Sequence, residues 1–117
     1  MVNVLVKQVI LFGKTIYVQL TQTDEGIQIL VAGGDKSHVG AVTIIGSDGK
    51  KYMVTLPGHK EMIIAEKWAD AIFAESKAPV VVTVGIHFDD ITSEQINLVL
   101  KTTDELLDNM LVEIEVN

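Results

Sequence analysis

The sequence contains no cysteine and no arginine, and only 5% of its residues are aromatic. Without cysteine it has no disulfide framework, no thiol nucleophile and no cysteine-ligated zinc site. Without arginine it has no guanidinium groups, and its formal net charge is −7. Proteins bind nucleic acid with guanidinium groups and positive charge, so this chain lacks both means. These absences exclude a disulfide-rich or thiol-dependent protein and argue against a nucleic-acid partner.

Long hydrophobic runs are also missing, since none approaches the roughly 20 apolar residues of a membrane-spanning helix. The N-terminal residues alternate in polarity like a strand, and they lack the basic start and small-residue cleavage site of a signal peptide. We therefore expect a cytoplasmic protein that makes no membrane contact. The chain has no linker, low-complexity tract or internal repeat, and its hydrophobic fraction of 48% suits a packed core. One domain over residues 1–117 is predicted.

The first half of the chain has the period of two that is typical of β-strands. Strands are predicted at 3–11, 15–21, 27–31, 39–45 and 51–56. The turns between them are short, and the turn from Ser47 to Lys50 contains the Asp-Gly pair favoured in hairpins. Such turns predict an antiparallel meander.

The second half changes to the period of 3.6 that is typical of helices. One helix is predicted over 61–77 and a second over 92–110. Thr92 and Gln95 have the spacing of a capping box, which marks the start of the second helix. Between the helices, the run from Val80 to Val84 is continuous and β-branched, as in a strand buried at the centre of a sheet.

The predicted fold is therefore α+β, in the order β-β-β-β-β-α-β-α. It has a single, largely antiparallel sheet of five or six strands with two helices on one face. The strands carry apolar residues at both odd and even positions, which face opposite sides of the sheet, for example Ile44 beside Ile45. The sheet face away from the helices is thus expected to be partly apolar, which is unusual for a monomer, and a homodimer is predicted.

All three histidines are predicted to lie in short polar loops that contain glycine and at least one carboxylate. The loops are 32–40, 56–61 and 85–92, and the strand pattern places each at the end of a strand, where binding groups are often presented. The three imidazoles are predicted to lie within about 10–12 Å of one another, the scale of one small-molecule pocket. Read separately, each segment also has a purely structural interpretation as a turn or a helix start.

Other kinds of chemistry have weaker support. Three histidines with Asp35, Glu61 or Asp89 would suit zinc chemically, but no two of the histidines have the spacing that places two ligands on one element. No metal site is therefore predicted. A Gly-x-Ser-x-Gly nucleophile motif is absent, so no catalytic residue is assigned. A metal-dependent enzyme that uses the histidines stays an open alternative.

Three motifs resemble a known family. They are Gly-Gly-Asp-Lys-Ser-His-Val-Gly-Ala-Val at 33–42, Gly-His-Lys-Glu at 58–61 and Gly-Ile-His-Phe-Asp-Asp-Ile-Thr at 85–92. Together, and in this order, they are similar to the small D-subunit family that accompanies UbiD-type hydroxyarylic acid decarboxylases. That family is described as prenylated-flavin chaperones, LpdD-like, with a fold similar to that of proteasome assembly chaperones. The resemblance implies an accessory protein rather than an enzyme.

The resemblance further implies prenylated FMN or FMN as the cofactor and a UbiD-type decarboxylase as the partner. The residues expected to bind the cofactor are Gly33, Gly34, Asp35, Lys36, His38, Gly58, His59, Lys60, Glu61, His87 and Asp89. The lysines and backbone amides suit a phosphate, while Trp68, Tyr52 or Phe88 is a candidate for stacking on the flat ring. A homodimeric assembly chaperone that binds only protein surfaces is the alternative.

Overall fold

A computed structural model describes residues 2–57 and 61–114 of the chain. The elements follow in the order β1 (Asn3–Leu11), β2 (Lys14–Thr23), β3 (Gly26–Gly34), β4 (Lys36–Ile45), β5 (Lys51–Thr55), α1 (Met62–Ser76), β6 (Val80–His87) and α2 (Ser93–Leu111). The predicted α+β fold with one sheet and two helices is confirmed, and of the five or six strands predicted the sheet has six. Both predicted helices are correct to within one residue at each end.

The strand order is β1-β2-β3-β6-β4-β5, with β6 parallel to β3 and antiparallel to β4. The predicted central position of the Val80 to Val84 run is confirmed, but the predicted simple meander is wrong. β6 lies between β3 and β4 because an apolar strand, flanked on both sides, satisfies its backbone groups away from water. The remaining neighbours, β1 with β2, β2 with β3 and β4 with β5, are antiparallel hairpins as predicted.

The core lies between one face of this sheet and the two helices. Alternate residues of the central strands face the helices and are fully buried, among them Val18, Val31 and Val82. From the helix side Trp68 and Met110 complete the core, and neither side chain is exposed to solvent. Burial of large side chains of this kind contributes about 1.5–3 kcal/mol each, so the sheet and the helices stabilise each other.

The second helix begins as predicted. The Thr92 side chain accepts a hydrogen bond from the Gln95 backbone N–H at 3.1 Å, and the Gln95 side chain accepts one from the Thr92 N–H at 2.9 Å. The buried face of this helix begins at Val99, whereas Ile96 in its first turn is 45% exposed. The first turns of α2 extend beyond the core, at the same end of the sheet as the C-terminus of β6.

The side chain of Lys51 links the edge strand β5 to α1. The Lys51 Nζ lies 2.9 Å from Glu66 and 2.8 Å from Asp70 on the helix. The hydrogen bond to Asp70, followed by that to Glu66, raises the pKa of Lys51 above its ordinary value of 10.5. The contact also shows that alternate β5 residues face α1, which leaves Tyr52 and Val54 on the opposite face of the sheet.

The described residues have a radius of gyration of 13.7 Å, as expected for a compact domain of this length. No helix among them is both long and apolar enough to cross a membrane.

Candidate functional site

The chain crosses the C-terminal end of β6 between β3 and β4, and this crossing creates the candidate site. Because β3 and β4 flank β6, the connection through Asp35 passes over His87, whose carbonyl accepts a 2.7 Å hydrogen bond from the Asp35 N–H. A Cβ on Gly34 would lie 2.3 Å from that carbonyl oxygen, and its φ is +86°. Only glycine fits such a conformation and approach, so the glycine pair is required by the crossing.

A second close approach of two backbones lies between β4 and β6, further from the end of the sheet. The register between β4 and β6 shifts between Ser37 and Ala41, which is a β-bulge. Here the His38 main chain packs directly on Gly85, where an added Cβ would lie 1.4 Å from the His38 carbonyl oxygen. His38 is thus a residue of strand β4, and His87 is the last residue of β6. The prediction that both lie in loops is wrong, because the glycines that suggested loops serve the crossing and the bulge.

His38 contacts a nearly buried carboxylate. Its Nε2 lies 2.8 Å from Glu61 Oε1, and the two side chains are 21% and 10% exposed. Glu61 immediately precedes α1, and its carboxylate packs against Gly40, where a Cβ would lie 2.1 Å from Oε2. Burial of a carboxylate is costly without polar partners. The imidazole is one such partner, and it fixes the position of Glu61.

His87 has a more exposed carboxylate partner. Its Nε2 lies 2.9 Å from Asp89 Oδ1, and the side chains are 47% and 73% exposed. The Asp89 N–H in turn donates to Asp35 Oδ2 at 2.8 Å, and Asp35 Oδ1 lies 3.7 Å from Lys14 Nζ. Asp35 therefore links the crossing between β3 and β4 to the segment that follows β6. A carboxylate bound to one imidazole nitrogen favours a proton on that nitrogen and orients the ring.

The two histidines lie close together, with ring centroids 6.2 Å apart and planes tilted by 59°. The predicted convergence is confirmed for this pair. Lys36 is the cross-strand partner of His87 and so lies at the same end. Gly58, His59 and Lys60 lie outside the described residues, so their place in the site stays a prediction. Within the described chain, the two imidazoles with Glu61, Asp89 and Asp35 form what we call the histidine cluster.

The aromatic residues proposed for ring stacking lie elsewhere. Trp68 is entirely in the core and Phe88 is 7% exposed, while Tyr52 pairs with Ile44 close to the turn at residues 46–50, at the other end of the sheet. Phe12, at the turn between β1 and β2, is the exposed aromatic residue nearest to the cluster in the described chain. Its ring contacts the edge of Phe88 at a centroid distance of 5.4 Å.

Chemically, the histidine cluster combines imidazole N–H donors with carboxylate acceptors at the open end of a rigid sheet. Within residues 2–57 and 61–114, no three side chains of His, Cys, Asp or Glu are grouped as a metal ion requires. The donors and acceptors of the histidine cluster suit a polar or anionic ligand held by hydrogen bonds, with Lys14 and Lys36 as nearby positive charges. The parallel strands β3 and β6 both end here, which is where open sheets commonly bind ligands.

Sequence reasoning missed several residues that shape this cluster. Gly40 and Gly85 make room for the Glu61 carboxylate and the His38 main chain. From the β1–β2 turn, Lys14 reaches Asp35 and Phe12 packs on Phe88, the neighbour of His87. A glycine inside a strand is a recognised sign of a bulge or a close backbone approach, so the two glycines carried a usable signal. Lys14 and Phe12 carried none, because their proximity depends on the pairing of distant strands.

Comparison with known proteins agrees with the resemblance carried by the three motifs. Residues 12–115 match the family described as the prenylated flavin chaperone LpdD-like domain. Protein LpdD of Lactiplantibacillus plantarum is 32% identical over 83 residues, which are 67% of this chain and 61% of that protein. The match thus spans less than two thirds of the length of that relative.

The fold is also similar to that of a solved structure. A chain in the crystal structure of a chaperone complex for yeast 20S proteasome assembly superposes with a TM-score of 0.66 and 15% sequence identity, covering 97% of this chain and 98% of that chain. At this identity the likeness concerns the fold alone, and it confirms the predicted similarity to proteasome assembly chaperones.

Proposed function

This chain belongs to the family of prenylated flavin chaperone LpdD-like domains, and from that premise we propose that it binds prenylated FMN at the histidine cluster and delivers it to a UbiD-type decarboxylase. The role is accessory and not catalytic. The observation that carries the proposal is the 6.2 Å approach of His38 and His87, each oriented by its own carboxylate. Residues of all three family motifs thereby contribute to one cluster, since Glu61 of the second motif contacts His38.

The groups around the cluster match the parts of a flavin mononucleotide. Its phosphate needs positive charge and N–H donors, which Lys36 and Lys14 supply in a chain that is otherwise acidic. Gly58, His59 and Lys60 are part of the proposed site through their motif. Its ring system needs hydrogen-bond donors and an apolar surface, and His87 and Phe12 supply these at the exposed side of the cluster.

A direct binding experiment tests the proposal. The purified protein is mixed anaerobically with prenylated FMN or with FMN and separated by gel filtration with absorbance detection. We expect co-elution of one flavin per chain, with tighter binding of prenylated FMN. Protein that elutes without flavin at concentrations of tens of micromolar would contradict the proposal.

Delivery is tested by adding the flavin-loaded protein to an apo decarboxylase of the UbiD type. Activity should appear faster than with the same amount of free prenylated FMN, and equal rates would reduce the role to binding. We also propose that the chain acts as a homodimer and works in the cytoplasm, as the sequence predicts. The strands support self-association, because apolar residues lie on the face of the sheet away from the helices.

A further inference from the structure

The face of the sheet opposite the helices carries no charged side chain over most of its area. We infer that it is the surface on which two copies of this chain pack against each other. At the C-terminal end of β6, the outward positions of β4 and β6 are Lys36 and its cross-strand partner His87. Over the rest of the strands, the outward positions include Val4, Val6, Gln8, Ile10, Thr15, Tyr17, Gln19, Thr21, Gln28, Leu30, Ala32, Val42, Ile44, Tyr52, Val54, Val81, Thr83 and Gly85. None of these is Asp, Glu or Lys. We call this set the uncharged face.

The distribution of charge favours a second copy as the occupant. The chain has 16 acidic residues against nine lysines, and the helix side carries many of them, such as Glu66 and Asp104. Two identical acidic chains repel each other across most surfaces. The uncharged face lets them meet without bringing like charges together, and a face that meets its own copy needs no complementary charge.

Several large apolar side chains on this face are half-exposed or more, which is unusual for a surface that stays in contact with water. Val6 and Ile10 on β1 are 50% and 72% exposed, and Tyr52 and Val54 on β5 are 50% and 58% exposed. They form two apolar borders. Between them lies a shallow depression of about 270 Å³ whose lining includes Gln19 and Gln28. Apolar borders around an uncharged polar centre suit a surface that is covered by protein.

The size of the face is also sufficient. Six strands spaced by about 4.8 Å, with roughly six residues each at about 3.3 Å, give a flat area near 24 by 20 Å. This flat area of roughly 480 Å² is a lower bound on the accessible area of the face, and it is of the same order as the roughly 800 Å² per partner of a standard interface. At one end the face reaches Lys36 and His87, so the histidine cluster lies at its border. The inference gives a surface to the self-association proposed above and does not depend on flavin binding.

Mass measurement by light scattering on gel filtration, or by sedimentation, tests the inference. Wild-type protein at tens of micromolar is expected at twice the chain mass of 12.8 kDa. Val6→Lys combined with Ile44→Lys should halve the mass, because a dimer through this face would bury the new lysine charges without partners. Ile10→Lys is a second variant, on the most exposed large apolar residue of the face. The matched controls Ile63→Lys and Val112→Lys change residues that are 66% and 82% exposed outside the uncharged face, and they should stay dimeric.

A monomeric wild-type protein would overturn the inference, and so would a dimer that survives all the face variants or dissociates in the controls. Circular dichroism and a urea titration show that each variant is folded, as expected for exposed positions. The flavin experiment is read separately on the same samples. A dimer without flavin binding would contradict the proposed cofactor role alone, and a monomer that binds flavin would contradict the dimer alone.

Discussion

Replacing Gly85 by alanine is expected to lower the free energy of unfolding by more than about 3 kcal/mol, or to leave no folded protein. The alanine Cβ would lie 1.4 Å from the His38 carbonyl oxygen and 2.3 Å from its carbonyl carbon. These are backbone atoms inside a sheet, so relief requires β4 to move away from β6. That movement would break the ladder on both sides of the bulge between Ser37 and Ala41.

The matched control is Gly26→Ala, at the start of β3. Its φ is not in the left-handed region, and the nearest atom to an added Cβ is the Pro79 carbonyl oxygen at 3.4 Å. We expect this variant to stay within about 1 kcal/mol of wild type. Urea unfolding followed by circular dichroism measures both. Equal midpoints for the two variants would contradict the close packing of His38 on Gly85.

The second large effect is expected on flavin binding. His87→Ala should weaken the binding of prenylated FMN by about 10- to 100-fold, the range for loss of a hydrogen bond to a charged group. Its stability should change little, because the His87 side chain is 47% exposed. Lys50→Ala, in the turn at the far end of the sheet, is the control and should bind as wild type does. Unchanged affinity in His87→Ala would remove this residue from the site.

His38 differs from His87 in that its replacement should affect both stability and binding. In His38→Ala the Glu61 carboxylate loses its 2.8 Å contact with the imidazole, which costs about 1–3 kcal/mol for a buried polar group. His38→Gln keeps an N–H donor and should recover part of the stability. Flavin titrations of the two variants then separate the effects. If His38→Gln is as stable as wild type and binds flavin as tightly, His38 has only a structural role.

Local features of the fold could be predicted because each depends on residues close in sequence. Thr92 and Gln95 are three residues apart, and their reciprocal hydrogen bonds follow from that spacing alone. The central place of β6 was also predictable, because the run from Val80 to Val84 is β-branched throughout and contains only one polar residue, Thr83. Its neighbours were not, since the pairing with β3 and β4 is a contact between distant segments.

The candidate site was predicted as a set of residues but not as a geometry. The sequence predicts a loop at the glycine pair 33–34, since glycine and polar residues are typical of loops. In the structure the same residues let the chain cross the end of β6 against His87. The approach of His38 to His87 follows from that crossing. Glu61 was expected at the site, and the structure adds its nearly buried contact with His38.

The uncharged face, too, could be predicted only in part from the sequence. Apolar residues at both parities, such as Ile44 beside Ile45, predicted that a second face would be apolar. The register of the strands was needed to show that Val6 and Ile44 lie on that same face and that no lysine or carboxylate interrupts it. Strand alternation thus indicates that two faces exist, whereas strand order decides which residues share one.

Imidazole NMR during titration with prenylated FMN tests the central claim most directly. The chain has only three histidines, so the long-range ¹H–¹⁵N spectrum of the ring nitrogens contains few signals, and each can be assigned with the single His→Ala variants. We predict that one equivalent of prenylated FMN shifts the signals of His38 and His87 together and leaves the backbone amides of the turn at residues 47–50 unchanged. Imidazole signals that do not move while other regions of the protein respond would contradict the claim that flavin binds at the histidine cluster.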